Sequence, residues 1–465
     1  MYRKIAWEQY DKAELARAEA FAADYKRFLD GGKTERECTA EAEAMLRAAG
    51  FLRLEDVLRD GTPLKAGDKV YCAWMGKSLM AFVLGEQPLS AGMNILGAHI
   101  DSPRLDVKQN PLYEDEGLAY LDTHYYGGIK KYQWVARPLA LHGVIVRRDG
   151  SRVTVAIGEN EDDPVFCISD LLIHLAQDQL QKPAREAVEG EALNLIIGSR
   201  PLAGEEKEPV RAAILALLKE QYDLEEEDLL SAELEIVPAG KARDLGLDRS
   251  LILGYGHDDR ICAFPSLRAV MDFEGVPAHT LCAILTDKEE IGSVGATGMA
   301  SNYFENTVAE LLMAAEGTDS ALALRRTLRN SRMLSSDVSA GFDPNFAGVF
   351  EKKNAAILGR GVCFNKFTGR GGKGGSNDAN AEFMAEVRRI MDGAGVDFQT
   401  AELGKVDVGG GGTIAYMCAK YGMNVIDAGI AVLSMHAPYE IAAKCDLWEA
   451  YKGYLAFLRE ARPLT

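Results

Sequence analysis

The order of apolar and polar residues along the chain predicts alternating helices and strands. In the first fifty residues, Ala-rich charged stretches such as DKAELARAEAFAADYKRFLD carry apolar residues every three or four positions, which is typical of helices. Short apolar runs bounded by turns follow, namely KVYCAWMG, LMAFVLG and MNILGAHID, and these are typical of strands. Because helices and strands alternate, this part of the chain predicts an α/β fold.

The pattern changes between about residues 105 and 245. Here ALHGVIVRRDGSRVTVAIG predicts two strands joined at Asp149-Gly150 as a hairpin, followed by the helix-like PVRAAILALLKEQYDLEEEDLL and the strand-like AELEIVPAG. From about residue 246 the α/β alternation returns, with the apolar runs TLCAILTD, AGVF, NVIDAGI and AVLSM and the helical ANAEFMAEVRRIMDGAG. We therefore predict a discontinuous α/β domain, residues 1–104 plus 246–465, with residues 105–245 inserted as a separate domain.

Composition and charge narrow the classes of partner. The chain has 465 residues, 52 Lys plus Arg and 70 Asp plus Glu, so its net charge of −18 disfavours nucleic acid and acidic lipids as partners. Every apolar run falls far short of the roughly 18–20 residues of a membrane span, so we expect no membrane association. Charged residues interrupt the first residues of the chain before any apolar run can form, so we expect no signal peptide. Eight scattered cysteines without a CxxC pair are typical of reduced thiols, so we expect a cytoplasmic protein.

A histidine and a carboxylate lie close together at the end of one predicted strand. His99 ends the apolar run NILGAH, and Asp101 follows two residues later. In an extended chain these two side chains point to the same face, and a nearby carboxylate orients a metal-bound imidazole. Taken alone, the pair is also typical of a core histidine beside a turn, and that interpretation is favoured until other ligands are found.

Further histidines and carboxylates recur just beyond apolar runs. They are Asp258 in HDDR, Glu289 and Glu290 in DKEE, Asp337 in SSDVSAGFDP and His436 in SMHAP. Each alone is equally typical of a solvated turn, but ligands in open α/β sheets gather at the carboxyl ends of the strands. Two imidazoles and three carboxylates suit a pair of metals such as zinc. Adjacent glutamates point in different directions, so one can bind metal while the other acts as a general base.

Five motifs in order carry a family resemblance. The segments GAHIDSPRLDVK, HDDR, DKEEIGS, SSDVSAGFDPN and MH resemble the aspartyl-aminopeptidase family of dinuclear zinc metallopeptidases, from about residue 90 to the end. The resemblance implies an α/β domain of the zinc-exopeptidase type, with a mixed, mainly parallel sheet flanked by helices. It also implies that this domain is interrupted by a β-rich dimerisation domain, and that dimers assemble into dodecamers.

The resemblance implies a role for each residue of the constellation. Glu289 matches the general base, and Asp101 matches the carboxylate behind the first histidine. Two divalent ions are implied, zinc above all, although cobalt or manganese also suits nitrogen and oxygen ligands. The residues that match the metal ligands, with the second of them bridging the ions, are His99, Asp258, Glu290, Asp337 and His436.

Three more residues match functional positions of the family. His174 in SDLLIHLAQDQL matches a histidine that reaches the active site of the partner subunit, although the pattern alone predicts a histidine packed on one side of an amphipathic helix. Asp407, together with the glycines at 409–412, matches a segment near the active site where main chain approaches the peptide.

Lys366 matches a lysine that holds an acidic side chain at the first substrate position, with Arg370 and Lys373 behind it. The loop NKFTGRGGKGGSN and the stretch HYYGGIKKYQW depart from the family pattern in their glycines and cations. The loop is equally typical of a mobile, solvated basic segment, so the resemblance leaves the preference for acidic residues open.

The function implied by these residues is metal-dependent hydrolysis of the first peptide bond of a peptide, with N-terminal residues, acidic ones among them, as the products. Two alternatives stay open at this point. One is a dinuclear-metal deacylase acting on N-acyl amino acids, and the other is a non-enzymatic oligomeric binding protein with a degenerate site.

Overall fold

The computed structural model describes residues 4–463, and the chain forms two compact units. The second unit consists of Ser102–Lys241 together with the short segment His436–Tyr439, and the first unit contains the other described residues. Within the described part of the chain, no helix has the length and apolar character that a membrane crossing requires.

Helices and strands occur in both units and are numbered here along the chain. The helices are α1 (Lys12–Gly31), α2 (Glu35–Ala48), α3 (Leu54–Asp60), α4 (Ala184–Ala187), α5 (Pro209–Tyr222), α6 (His257–Met271), α7 (Tyr303–Glu316), α8 (Ala321–Asn330), α9 (Ala381–Ala394), α10 (Ala415–Ala419) and α11 (Lys444–Glu460). The strands are β1 (Leu52–Arg53), β2 (Lys69–Trp74), β3 (Ser78–Val83), β4 (Asn94–His99), β5 (Arg104–Asp115), β6 (Leu118–Tyr126), β7 (Leu139–Val146), β8 (Arg152–Ile157), β9 (Leu195–Gly198), β10 (Ala232–Pro238), β11 (Arg243–Leu245), β12 (Leu251–Gly254), β13 (Leu281–Thr286), β14 (Arg332–Ser335), β15 (Ser339–Ala340), β16 (Val362–Asn365), β17 (Phe398–Thr400), β18 (Asn424–Gly429), β19 (Ala431–Leu433) and β20 (Glu440–Ala443).

The first unit has a mixed α/β fold built on a large sheet with the strand order β1-β2-β3-β13-β4-β14-β18-β16-β17. Its centre, β13-β4-β14-β18, is parallel, whereas β3 and β16 run antiparallel to their neighbours in this centre. One face of the sheet packs on an apolar core that includes residues of α1, α2, α6, α9 and α11, and the other face on a core that includes residues of α3, α7, α8 and α10. The central strands are therefore covered on both faces, which explains why they read as continuous apolar runs.

A smaller sheet of the first unit has the order β11-β12-β20-β19-β15. Its strand β12 leads through Gly256, whose φ of 76° is readily adopted only by glycine, into the start of α6. The chain therefore turns sharply where the predicted site residues of HDDR begin.

Side chains at the helix starts explain several helix boundaries. The Asp11 side chain accepts a hydrogen bond from the Glu14 N–H at the start of α1, and Asn380 does the same for Phe383 at the start of α9. Thr34 and Glu37 form a reciprocal capping box at the start of α2. These caps satisfy main-chain donors that would otherwise lack a partner within the helix.

The second unit is built on an antiparallel sheet with the order β8-β7-β10-β5-β6-β9. Strands β7 and β8 form the hairpin predicted at Asp149-Gly150, where Gly150 adopts a φ of 84°. Helix α5 starts with Pro209 and ends at Tyr222, so only the first part of the predicted helical run is α-helical.

Two predictions of local structure were wrong. The run AGVF is no strand, because it ends a 3-10 helix, Pro344–Val349, which starts with a proline and is capped by Asp343. The segment around His174 is no amphipathic helix, because it forms only the single 3-10 turn Ile173–Leu175. Its leucine and isoleucine side chains are exposed in this chain and only the small Ala176 is buried, so no large core face stabilises a longer helix there.

Candidate metal centre

The large sheet brings the ends of three predicted site segments together. Strands β13, β4 and β14 are adjacent and parallel, so their carboxyl ends lie at the same edge. His99 ends β4, the DKEE segment follows β13, and Asp337 follows β14. One ligand atom each of His99, Asp258 and Asp337 lies within 4.8 Å of the others, and carboxylate oxygens of Asp258 and Glu290 are equally close.

His99 is held from both sides of its ring. Its Nδ1 lies 3.0 Å from the main-chain oxygen of Asp101 and 3.2 Å from a carboxylate oxygen of the same residue. Its Nε2 lies 3.0 Å from Oδ1 of Asp258. Because Nδ1 is committed to Asp101, Nε2 is the nitrogen that can bind a metal ion together with Asp258.

Asp101 also organises the two glutamates. Its side chain is fully buried and accepts hydrogen bonds from the main-chain N–H groups of Glu289 and Glu290, at 3.1 and 3.2 Å. The glutamates lie in a tight turn that Lys288 enters with a φ of 66°, an unfavourable conformation for a lysine. The sequence pattern linked Asp101 only to His99, whereas the carboxylate fixes both the histidine and the glutamate turn.

Glu289 lies beside the cluster and reaches solvent. Its Oε2 is 3.9 Å from Nε2 of His99, and 16% of its side-chain surface is exposed. A carboxylate in this position can accept a proton from a water molecule next to the cluster and exchange it with solvent.

Three residues that the sequence reasoning did not assign support the ligands. The Asp258 N–H donates to the buried side chain of Glu440 at 2.9 Å, and Asp259 accepts a hydrogen bond from the His99 N–H at 3.2 Å. The Arg260 guanidinium donates to the main-chain oxygens of Ile100 and Lys33. For Glu440 the sequence did offer a signal, because this glutamate begins the apolar strand EIAA. A buried carboxylate is rare without a partner, so its position indicates a contact with another residue.

The electrostatics of the cluster favour cations. Burial raises the pKa of Asp337 well above its usual range, and the neighbouring carboxylates Glu289 and Asp259 raise it further. Burial by itself would lower the pKa of His99, but hydrogen bonds with Asp101 and Asp258 outweigh burial and hold that pKa well above its usual value. Because one imidazole faces several carboxylates, the centre has an excess of negative charge that divalent cations would offset. The nitrogen and oxygen donor set and the spacing of these atoms therefore fit metal ions such as zinc.

Two predicted site residues belong to the second unit. His436 connects β19 to β20, and its Nδ1 lies 3.0 Å from the main-chain oxygen of Gly128. His174 is exposed in the 3-10 turn described above.

The sheet does not bring Lys366 to the ligand cluster. It follows β16, and β16 lies three strands away from β4, which corresponds to roughly 14 Å at the usual strand spacing. The Lys366 ammonium forms an ion pair with Asp378, to which Lys373 also binds at 3.0 Å. Asp407 is exposed in a neighbouring loop, where it adopts a φ of 69°.

Comparison with known proteins identifies the class of this molecule. The fold and the imidazole–carboxylate cluster are those of an α/β metallopeptidase. The family model described as aminopeptidase I zinc metalloprotease (M18) matches residues 28–458. The chain belongs to this M18 family and is a metal-dependent aminopeptidase.

Bacterial relatives match the chain along its whole length. The chain is 57% identical over 456 residues to a probable M18 family aminopeptidase 1 of Clostridium acetobutylicum, covering 98% of each chain. It is 45% identical over 460 residues to the protein of the same description from Thermotoga maritima, covering 99% of each.

Solved structures match equally well. The M18 aminopeptidase structure from Thermotoga maritima has a TM-score of 0.94 at 44% identity and covers 99% of this chain and 100% of its own. The aminopeptidase I structure from Clostridium acetobutylicum has a TM-score of 0.91 at 54% identity and covers 98% of each chain. The resemblance seen in the five motifs is thereby confirmed, as are the mixed α/β fold and the aminopeptidase activity.

Proposed function

We propose that this aminopeptidase removes N-terminal residues from peptides with two divalent metal ions per subunit, zinc above all. The observation that carries the proposal is the convergence of His99, Asp258 and Asp337 within 4.8 Å at the carboxyl edge of the sheet. Asp258 belongs to this group and also has a carboxylate oxygen within 4.8 Å of one of Glu290, which supports a bridging role between two ions. The proposed ligands are His99, Asp258, Glu290, Asp337 and His436, the last assigned from the motif resemblance.

Charge and chemistry support a dinuclear centre. Two divalent ions would balance the three ligand carboxylates and one hydroxide, so that the site is close to neutral. When bound, such ions supply Lewis-acid chemistry, which polarises the carbonyl of the first peptide bond and makes water more acidic. The name of the family supports zinc, while nitrogen and oxygen ligands also accept cobalt and manganese.

The protein's own residues then move the proton. Glu289 takes the proton of the attacking water and later delivers it to the leaving amine, for which its partly exposed position beside His99 is suited. Asp101 is proposed as the residue that keeps this base in place, because it binds the main-chain N–H groups of both glutamates.

The test of this proposal is the Glu289→Gln variant. Its amide cannot accept the proton, so turnover of a peptide substrate is expected to fall by about 10²–10⁴-fold while two ions per chain remain bound. The matched variant Glu290→Gln removes a proposed ligand, and is expected to lower metal content as well as turnover. Turnover that survives in Glu289→Gln would show that another residue is the base.

The preferred first residue of the substrate is a separate question. Lys366 and Asp407 are proposed substrate-binding residues on the resemblance alone, and the ion pair of Lys366 with Asp378 offsets the charge that an acidic substrate side chain would need. Cleavage rates for a series of aminoacyl p-nitroanilides with defined metals would rank the acidic and neutral residues. The same series with N-acylated substrates tests the deacylase alternative. Membership of the M18 family favours neither a deacylase nor a non-enzymatic scaffold.

We further propose that the unit Ser102–Lys241 is a dimerisation domain, and that dimers build a larger assembly, a dodecamer above all. Its segment 171–175 exposes four apolar side chains, with Leu175 exposed by 68%, and a contiguous exposed apolar segment is typical of an interface. The structure of a yeast aminopeptidase I, 21% identical to this chain, is a dodecamer of that protein. The net charge of −18 and eight free cysteines support a cytoplasmic enzyme without nucleic-acid or membrane partners.

A further inference from the structure

One face of the large sheet changes from apolar to polar towards the metal centre. Four residues lie opposite one another on adjacent strands and therefore point to the same face: Gly97 on β4, Ser335 on β14, Asp427 on β18 and Asn365 on β16. Two residues earlier on the first three of these strands, the same face carries Ile95, Met333 and Val425. Two residues later on β4 it carries His99. Three of the four residues, Ser335, Asp427 and Asn365, are polar. These four residues, called the polar row here, therefore lie between the apolar core and the proposed ligands.

Residues of this row form hydrogen bonds near both ends of the segment 401–414, which contains the four consecutive glycines Gly409–Gly412. At the start of the segment, Asn365 donates a hydrogen bond from Nδ2 to the main-chain oxygen of Ala401, at 3.0 Å. At its end, the Thr413 hydroxyl donates to Oδ1 of Asp427, at 2.6 Å. Next to this bond, a Cβ at Gly97 would lie only 3.3 Å from Ile414, so the segment packs against the strand that carries His99.

Asp427 is an unusual residue for the middle of a covered strand. It is only 2% exposed and lies in the run NVIDAGI, where an apolar residue would pack without cost. Burial raises the pKa of its carboxyl to about 7, and the hydrogen bond from Thr413 opposes that rise. A buried carboxylate at this position calls for a function, and its bond with Thr413 supplies one.

Three of the four glycines differ in what a side chain at their position would meet. A Cβ at Gly409 would lie 1.8 Å from the Leu403 oxygen, and one at Gly410 would lie 2.7 Å from the Arg370 main chain, so packing within the chain requires both glycines. Gly411 has no atom of the chain within 4 Å of such a Cβ, and its backbone conformation is one that alanine adopts. The Gly411 N–H donates to the main-chain oxygen of Thr368 at 2.9 Å, but no packed atom occupies the space beside the Gly411 Cα.

We propose that Asp427 is a positioning residue that, through Thr413, holds in place the glycine run 409–412, which the family resemblance places near the active site. The inference rests on the proposed function, because it assumes that peptides bind next to the ligand cluster. Asp427 touches neither the reacting atoms nor the metal ligands in this arrangement. Its effect is therefore on substrate binding more than on the chemical step.

The experiment compares variants on both sides of the bond. Thr413→Val keeps the shape of the side chain but cannot donate, so KM for an aminoacyl p-nitroanilide is expected to rise at least about fivefold while kcat stays within about twofold. Asp427→Asn is expected to act in the same direction, and Thr413→Ser, which keeps the hydroxyl, is expected to restore the KM. Trypsin cleavage after the exposed Lys405 is expected to accelerate in Thr413→Val and Asp427→Asn.

Two further variants separate positioning from stability. Asp446→Asn changes an equally buried carboxylate elsewhere in the first unit, and it is expected to leave both KM and cleavage after Lys405 as in the parent. Gly411→Ala meets no packed atom, so the protein is expected to fold with unchanged stability but to show a raised KM.

Two results would overturn the proposal: an unchanged KM and an unchanged cleavage rate in Thr413→Val, or the same changes in Asp446→Asn. The trypsin measurement needs no turnover, so it tests the anchoring of the glycine run even if the assignment of Glu289 fails. Conversely, a Glu289→Gln variant that remains active while Thr413→Val raises KM would refute the proposed base and leave Asp427 in place.

Discussion

At the residue scale, Asp101 connects two parts of the centre that lie far apart in the sequence. Its carboxylate lies against Nδ1 of His99 and accepts the N–H groups of Glu289 and Glu290. In Asp101→Asn, an amide NH₂ would replace one acceptor oxygen and face a main-chain donor. We expect a loss of about 10–100-fold in metal affinity or in kcat/KM, the usual effect of removing a residue that orients a ligand.

Metal competition with a chelator and steady-state kinetics measure these two quantities. The surface variant Asp248→Asn, which affects only its local turn, is the control. Unchanged metal affinity together with unchanged kinetics in Asp101→Asn would show that the carboxylate is not needed to orient the site.

Asp446 provides a pH-dependent prediction away from the centre. Burial raises the pKa of its carboxyl to about 7, although the Gly359 and Gly361 N–H groups, which donate to it at 2.7 Å, oppose the rise. Because the folded pKa exceeds the unfolded value of about 3.9, the stabilising contribution is complete below about pH 4 and is lost as the pH rises through about 7.

Asp446→Asn removes this titration. The loss of a hydrogen bond also changes the Tm, but by an amount that does not depend on pH. We expect the Tm of the variant minus that of the parent to become more positive between about pH 5 and about pH 8. Thermal unfolding of both proteins with the same added zinc measures the difference. A difference that stays constant across this range would contradict the assignment.

At the element scale, the start of α2 is linked to the site through Arg260. The Thr34 and Glu37 capping box fixes the first turn of α2. The main-chain oxygen of the preceding residue, Lys33, accepts a hydrogen bond from the Arg260 guanidinium at 2.9 Å. Thr34→Ala is expected to lower the free energy of unfolding by about 1 kcal/mol, because a helix N-cap is lost. Denaturant titration measures this loss, with the exposed Thr62→Ala as the control.

The sequence predicted those elements whose signal is local. The hairpin at Asp149-Gly150 and the strand ending at His99 follow from turn residues and apolar runs, and the structure has both. The roles of Glu440 and Asp259 could not be predicted, because each depends on a hydrogen bond to a residue about 160 or more positions away in the chain. The segment around His174 failed for another reason, since its apolar residues have no core face in this chain to pack on.

At the scale of the whole molecule, strand order explains how far the site could be predicted. The rule that ligands gather at the carboxyl ends of parallel strands applies to β13, β4 and β14, and it correctly groups His99 with Asp337. The same rule does not apply to Lys366, because β16 runs antiparallel to β18 and therefore does not end where the parallel strands end. A rule about the strand ends of one sheet also cannot predict a residue that acts in the active site of another subunit.

The family resemblance implies that His174 acts in the active site of a partner subunit. It is exposed in a segment whose neighbours Ile173 and Leu175 are exposed by 65% and 68%, as expected if a partner subunit covers them. If His174 acts in the partner's active site, His174→Ala lowers kcat without loss of metal. Mixing His174→Ala with Glu289→Gln subunits then creates one complete site in each mixed dimer. Random pairing of equal amounts should restore about a quarter of the parent activity, because half of the dimers are mixed and half of their sites are complete. Activity assays after subunit exchange, with mixed dimers verified by mass, measure this recovery. No recovery in verified mixed dimers would mean that His174 does not act across the interface.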